Sequence, residues 1–228
     1  RSLNHPIPLE YGTQYGESPL FDIALWKENQ EPFTDLEQRK INSWLTSPKY
    51  SDFVVFNPSE GTPVTYRGIF SEVKWIPASS GLIMAVCTFQ NDSPYCWETT
   101  ELHFTIQDED SLYIYCDSDE LEEYVYPTIT LTTPHEETQV TITSITDHSN
   151  TMTIRAYDRL PMTFNCGLCI PMDATTGGIV SYTDLGWKDS GNIYWPRLLP
   201  GNNTWQITGD VQLDLLFRCP HKKVGGWL

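Results

Sequence analysis

Trp195-Pro196-Arg197-Leu198-Leu199-Pro200-Gly201-Asn202-Asn203-Thr204-Trp205-Gln206-Ile207-Thr208-Gly209 reads as two extended segments joined by a tight turn. Pro200-Gly201-Asn202-Asn203 gathers the residue types that set or tolerate unusual turn dihedrals. Gly209-Asp210 then opens an alternating run in which Val211, Leu213, Leu215 and Phe217 share one face. Gln212, Asp214 and Arg218 take the other, the pattern of a half-buried antiparallel strand. None of these residues is arranged for chemistry. The stretch is scaffold, and the scaffold is antiparallel β.

Upstream of it, Leu102–Ile106, Leu112–Tyr115, Thr128–Leu131, Gln139–Ile145, Thr151–Tyr157 and Thr163–Ile170 are short Thr-rich runs at close spacing. Turn clusters such as Asp147-His148-Ser149-Asn150 and Thr175-Thr176-Gly177-Gly178 separate several of them. Many short strands with no helical period between them predict an antiparallel sandwich. The first third has a different texture. Phe21, Ile23 and Leu25 alternate as a strand, and Thr34-Asp35-Leu36-Glu37 is a capping box in which Thr34 and Glu37 satisfy each other's backbone amides. Ile41, Trp44 and Leu45 then recur at helical spacing, and Pro48 bars continuation past Ser47. Phe53–Phe56, Thr65–Phe70 and Leu82–Phe89 follow as strands, the last apolar on both faces and so expected to be central. A turn-rich segment between Asn91 and Thr100 divides the chain, giving domains 1–97 and 98–228. Internal repeats and low-complexity tracts are not evident.

The chain has 228 residues, 39% hydrophobic and 13% aromatic, enough for proper cores. Its formal net charge of −16 argues against tight nucleic-acid binding, because phosphates would be repelled, and against docking on an anionic membrane. No segment approaches the ~20 apolar residues of a membrane span, so no membrane insertion is expected. Residues Arg1 to Gly16 hold Pro, Gly, Gln and Glu where a secretory signal would be apolar, and the missing initiator Met fits processing, trimming or renumbering alike. Six cysteines, at 87, 96, 116, 166, 169 and 219, are too sparse for a disulfide scaffold and read as reduced thiols packed as small hydrophobes.

Candidate chemistry is thin. Gly16-Glu17-Ser18 starts like a nucleophile elbow but lacks the second glycine. The histidines (His5, His103, His135, His148, His221) include no pair at helical metal spacing. Cys166-Gly167-Leu168-Cys169 with Cys219 and His221 could supply four zinc ligands, yet structural thiols are the plainer reading. Of the acidic runs Asp108-Glu109-Asp110 and Asp117-Ser118-Asp119-Glu120-Leu121-Glu122-Glu123, the second could gather oxygens around calcium but lacks the glycine and spaced glutamate of an EF-hand loop and reads as a solvated loop. Trp187, Trp195, Trp205 and Trp227 raise a sugar-platform reading. Trp195 and Trp205 are expected in the core, and Trp227, after Gly225-Gly226, as the exposed contact. No catalytic, cofactor-binding or metal-ligating residue is assigned, and no enzyme activity or cofactor is expected.

The wording of Trp195–Gly209 resembles the closing segment of phage distal tail proteins, the ring-forming hubs at the tip of long non-contractile tails. Tyr66-Arg67-Gly68, leading through Gly81 and an apolar strand into Cys87-Thr88-Phe89-Gln90-Asn91-Asp92-Ser93-Pro94-Tyr95-Cys96-Trp97, resembles the phrase that ends that family's first domain. Met172-Asp173-Ala174-Thr175-Thr176-Gly177-Gly178-Ile179-Val180 is similar to its Asp-containing hairpin. Helix end, domain-end phrase, hairpin and closing phrase fall in the family's order. The family usually has a further β-rich segment ahead of the part matching Arg1, here absent or cut short. The resemblance implies a mainly β protein: an N-terminal β-rich ring (belt) domain with one helix, followed by a galectin-like antiparallel β-sandwich. It implies a structural virion protein at the tail tip, assembled in the host cytoplasm as a homohexamer. Its partners would be the tail tube, tape-measure, tail-tip or tail-associated lysin and receptor-binding proteins, and its ring would leave a channel for DNA. A carbohydrate-binding sandwich module, and the same part of a tail-derived bacteriocin or gene-transfer particle, are the alternatives.

Overall fold

The computed structural model describes residues 18, 20–29, 31–56, 63–77, 83–133, 139–155, 161–187 and 193–222. Arg1 to Gly16, Glu17, Gly81, Leu82, His135, Ala156, Tyr157 and Gly225 to Trp227, to which expectations were attached above, lie outside them. The elements are β1 (Leu20–Leu25), α1 (Asp35–Leu45), β2 (Ser51–Phe56), β3 (Pro63–Pro77), β4 (Ile83–Asn91) and β5 (Cys96–Ile106). They continue with β6 (Glu109–Cys116), β7 (Thr128–Thr132), β8 (Gln139–Ser144), β9 (Asn150–Arg155), β10 (Met162–Asn165) and β11 (Ile170–Asp173). A short 3-10 turn (Tyr182–Leu185), β12 (Gly201–Thr208) and β13 (Val211–His221) complete the chain. Two compact units result, one of Arg1–Val55, Thr65–Cys96 and Lys222–Leu228, the other of Phe56–Val64 and Trp97–His221.

In the first unit β4 lies between β1 and β3, both antiparallel to it, and β2 pairs with β3. The central placement expected for this doubly apolar strand is what the sheet shows: Ala85, Cys87 and Phe89 are fully buried. Helix α1 packs on this sheet through Leu45, against Ala85 and Cys87, with Ile41, Phe70 and Val73 around them. The Trp75 indole donates to Asn42 Oδ1 at 3.1 Å and ties β3 to the helix. The capping box forms as the sequence predicts: Glu37 N donates to Thr34 Oγ1 at 3.4 Å, and Thr34 N to Glu37 Oε2 at 2.7 Å. Lys27 Nζ sits 2.7 Å from the same carboxylate. Together with the Thr34 bonds, this ammonium lowers the Glu37 pKa to about 2. Gly68 has no room for a side chain, because a Cβ there would lie 2.0 Å from the Gln90 carbonyl oxygen. The β4–β5 turn is closed by buried Asn91, whose amide donates to the carbonyls of Ser93 at 2.6 Å and Tyr95 at 2.9 Å.

The second unit is an antiparallel sandwich. One sheet runs β5-β13-β7-β10-β11 and the other β6-β12-β8-β9. Their inward residues form one cluster, including Ile106, Ile114, Ile129, Ile142, Met152, Phe164, Trp205 and Phe217. β13 alternates as read from the sequence, with Val211, Leu213, Leu215, Phe217 and Cys219 buried and Gln212, Asp214 and Arg218 exposed.

Three expectations need correction. Thr163–Ile170 is not one strand: it folds into the β10–β11 hairpin, reversing at Cys166–Cys169. Asn165 Oδ1 accepts from Leu168 N at 3.0 Å, and Cys169 takes a left-handed φ of 56°, so a local side-chain bond overrides the apolar run. Pro200–Asn203 does not join two paired strands either. Leu198 bridges to Val125, whereas β12 starts at Gly201 (φ 88°) and pairs with β6 and β8. Asn203 closes the bend from inside β12, accepting from Leu199 N at 2.9 Å and donating to its carbonyl at 2.7 Å. Finally, Trp44 does not join the core and is 73% exposed.

Arg197 anchors the same stretch. Its guanidinium donates to both carboxylate oxygens of Asp147, at 2.8 and 3.2 Å, and lies 3.8 Å from the Tyr124 ring centroid. Tyr194 Oη donates to Asp147 at 2.9 Å. Asp147 sits in the β8–β9 turn, where His148 and Ser149 both take positive φ, so the pair fixes an irregular segment to a strained turn. The guanidinium holds the Asp147 carboxyl below its usual range.

Two outcomes are expected. Thr34→Ala should cost about 0.5–2 kcal/mol and lower the melting temperature by a few degrees, measured calorimetrically. Because the folded Glu37 pKa is depressed, its contribution is complete above the unfolded value near 4.5 and fades as pH falls toward 2. Arg197→Ala leaves the Asp147 carboxylate buried without its counter-charge and should cost roughly 3 kcal/mol in urea unfolding. A loss under ~0.5 kcal/mol would show that the pair is merely a surface contact.

Candidate assembly interface

The first unit shows apolar side chains where a free-standing domain would show polar ones. Trp44 is 73% exposed, Leu20 63%, Leu36 61%, Trp26 60% and Val54 57%. Between the C-terminal end of α1 and strands β1 and β2 lies a groove of about 260 Å³ lined by Ile23, Leu25, Trp44, Leu45, Phe53 and Phe70, with Ser47, Lys49, Ser51 and Asp52 as its polar part. The groove's floor follows from the fold. Leu45 and Phe70 belong to the helix–sheet core, and Trp44, one residue earlier on the helix, turns outward beside them. Among the described residues, β1 pairs only with β4 and β2 only with β3, so each offers an open strand edge. An open edge beside exposed aromatics is a self-association surface unless something covers it.

Charge is divided unevenly along the chain. The first unit holds nine Lys or Arg against ten Asp or Glu, a formal −1, whereas the second holds five against twenty, a formal −15. Only the first unit is close to neutral, and among the described residues it carries both exposed tryptophans, Trp26 and Trp44.

The residues singled out for chemistry do not converge. Among the described residues no three His, Cys, Asp or Glu side chains group as a metal site. Cys166 and Cys169 flank the β10–β11 turn, whereas the Cys219 thiol touches Cys116 at 3.6 Å. Five cysteines are buried and Cys169 is exposed, which corrects the expectation that all six are packed. Burial pushes the Cys166 thiol up, and the contact with Cys219 raises that of Cys116. His221 lies 3.6 Å from Glu98 and 3.7 Å from Asp119. Exposed His103 lies 2.7 Å from Asp214, which raises its pKa. Trp205 is fully buried, and Trp187 and Trp195 pack edge-to-face 5.7 Å apart beside Phe164. None of these three indoles forms an open platform.

A family model described as the phage tail protein N-terminal domain matches residues 2–93, and one described as the phage tail C-terminal domain matches residues 95–217. The chain belongs to this phage tail protein family. It is therefore a structural component of a virion, as the resemblance implied. The tail protein's fold is similar to that of Dit (gp 19.1) of phage SPP1, described as a paradigm of the hub adsorption apparatus in phages infecting Gram-positive hosts. The TM-score is 0.54 at 15% identity, over 89% of this chain and 77% of that one. The phage P2 baseplate, in its activated conformation with calcium, matches at a TM-score of 0.46 and 11% identity, over 90% and 80% of the two chains. No curated protein sequence matches the tail protein. The mainly β, antiparallel class expected from the sequence is what the tail protein adopts, with one α-helix among the described residues. Among those residues no helix is long and apolar enough to cross a membrane.

The surface and the core make opposite predictions for neighbouring residues. Trp44→Ala should change unfolding free energy by no more than about 0.5 kcal/mol, since its ring is solvated in the isolated chain. Leu45→Ala should cost roughly 2–4 kcal/mol. Equal losses in urea unfolding would mean that Trp44 is a core residue and that the groove is misread.

Proposed function

We propose that this protein is the distal tail hub of its virion, a homohexameric ring that joins the tail tube to the tail-tip and receptor-binding apparatus and lets DNA pass. In this reading residues 1–97 form the ring (belt) domain and residues 98–228 a galectin-like sandwich facing outward. Tail tube, tape-measure, tail-tip or tail-associated lysin and receptor-binding proteins are its neighbours. It works at the tail tip after assembly in the host cytoplasm, and its role is mechanical, without catalysis. The observation that carries this reading is the match of both halves to the tail family in chain order. The near-neutral first unit supports it, with Trp26 and Trp44 exposed and, among the described residues, open edges on β1 and β2.

Six copies carry a formal charge near −96, six times −16, so phosphates meet repulsion and DNA passes without adhering. The same charge pushes subunits apart. Closure must then come from apolar and strand-edge contacts in the nearly neutral part. Purified protein should show six-fold rings with a central hole in negative stain and a mass near 157 kDa, six times 26.1 kDa. Added salt should strengthen the ring, because screening weakens repulsion over a Debye length of about 8–10 Å. A monomer at every salt concentration, even with the neighbouring tail proteins present, would contradict the proposal. So would a hexamer made by residues 98–228 alone.

A further inference from the structure

The outward side of the sandwich's second sheet holds Tyr113 and Tyr115, two positions apart on edge strand β6. Residues i and i+2 of a strand point the same way, ~6.8 Å apart. Tyr113 is 79% exposed and Tyr115 61%. The alternation behind them is strict, since Leu112, Ile114 and Cys116 enter the core and leave both tyrosines facing water. The register gives each ring a polar neighbour, Thr204 opposite Tyr113 and Asn202 opposite Tyr115. Neither tyrosine hydroxyl, nor the Asn202 side-chain amide, has a hydrogen-bond partner among the described residues.

Charge narrows the ligand class. In a unit with a formal −15, the outward positions of β6 and β12 carry one carboxylate, Glu109 at the far end, already bonded to the Gln206 amide. Exposed Asp117 follows two positions after Tyr115, and the surrounding acidic unit repels an anionic partner. A wholly apolar partner would strand the amide and hydroxyls. Flat amphipathic rings beside free, uncharged donors and acceptors match a ligand with an apolar C–H face and a hydroxyl rim. We propose that this face binds a neutral glycan of hexose or N-acetylhexosamine units, one pyranose ring over each tyrosine, with ring hydroxyls bonded by Asn202 and Thr204. The proposal is independent of the ring reading, because a monomer would carry the same face.

The test uses the full chain on immobilised neutral glycans (glucans, galactans and N-acetylglucosamine oligomers) beside sialylated and sulfated ones. Binding to at least one neutral class and to no charged one is expected. Titration calorimetry with the bound glycan should then show Tyr113→Ala and Tyr115→Ala each weakening binding by roughly tenfold or more, and Tyr113→Phe, which keeps the ring, by less than roughly threefold. Melting temperatures should barely move, since both rings are solvated. No binding to any neutral glycan, preference for charged glycans, or binding indifferent to both alanine variants would overturn the proposal. The last two outcomes would redirect this face to another class of partner.

Discussion

The sandwich depends on β12, which lies inside its second sheet with a partner on each side and directs Asn203, Trp205 and Ile207 into the core. Trp205 is the largest fully buried side chain among the described residues, and the inner faces of both sheets pack around it. A strand so placed must be entered at one register only, because a one-residue slip would turn Trp205 to solvent. Asn203 and Gly201 fix that entry, and the Asp147–Arg197 pair fixes the irregular segment before it. The polar contacts therefore act as a register device for an apolar core, rather than as its main source of stability.

Uneven charge gives the two units different tasks. Copies of a formal −15 unit resist close packing, whereas copies of a formal −1 unit with exposed tryptophans do not. The acidic unit gains solubility from that charge. Among the described residues, the near-neutral unit leaves Trp44, Val54 and the edges of β1 and β2 uncovered, features that a free monomer would conceal. An assembling tail part meets both conditions at once.

What was legible in the sequence is what depends on near neighbours. Thr34 and Glu37 are three residues apart, so the capping box and the helix it starts could be read directly, as could the alternation along β13. The β10–β11 turn was missed because Cys166-Gly167-Leu168-Cys169 looks apolar and strand-like, and only the Asn165 bond reveals the reversal. The Arg197–Asp147 pair spans fifty positions, and no local pattern announces it. Trp44 misled because helical spacing alone does not say how wide the buried stripe is. Tyr113 and Tyr115 are legible in the sequence as the outward positions of a strand, since they alternate with Leu112 and Ile114. The charge division needed only a boundary and a count.

Hydrogen–deuterium exchange on the assembled protein, compared with the same chain dissociated, tests most directly whether the first unit builds the assembly. New protection is expected in β1, in β2 and along the C-terminal half of α1, where open edges and the Trp44 groove become covered. Exchange in β6 and β12 is expected to stay unchanged. Protection gained on the sandwich strands, with β1, β2 and α1 unaltered, would contradict assembly through the first unit.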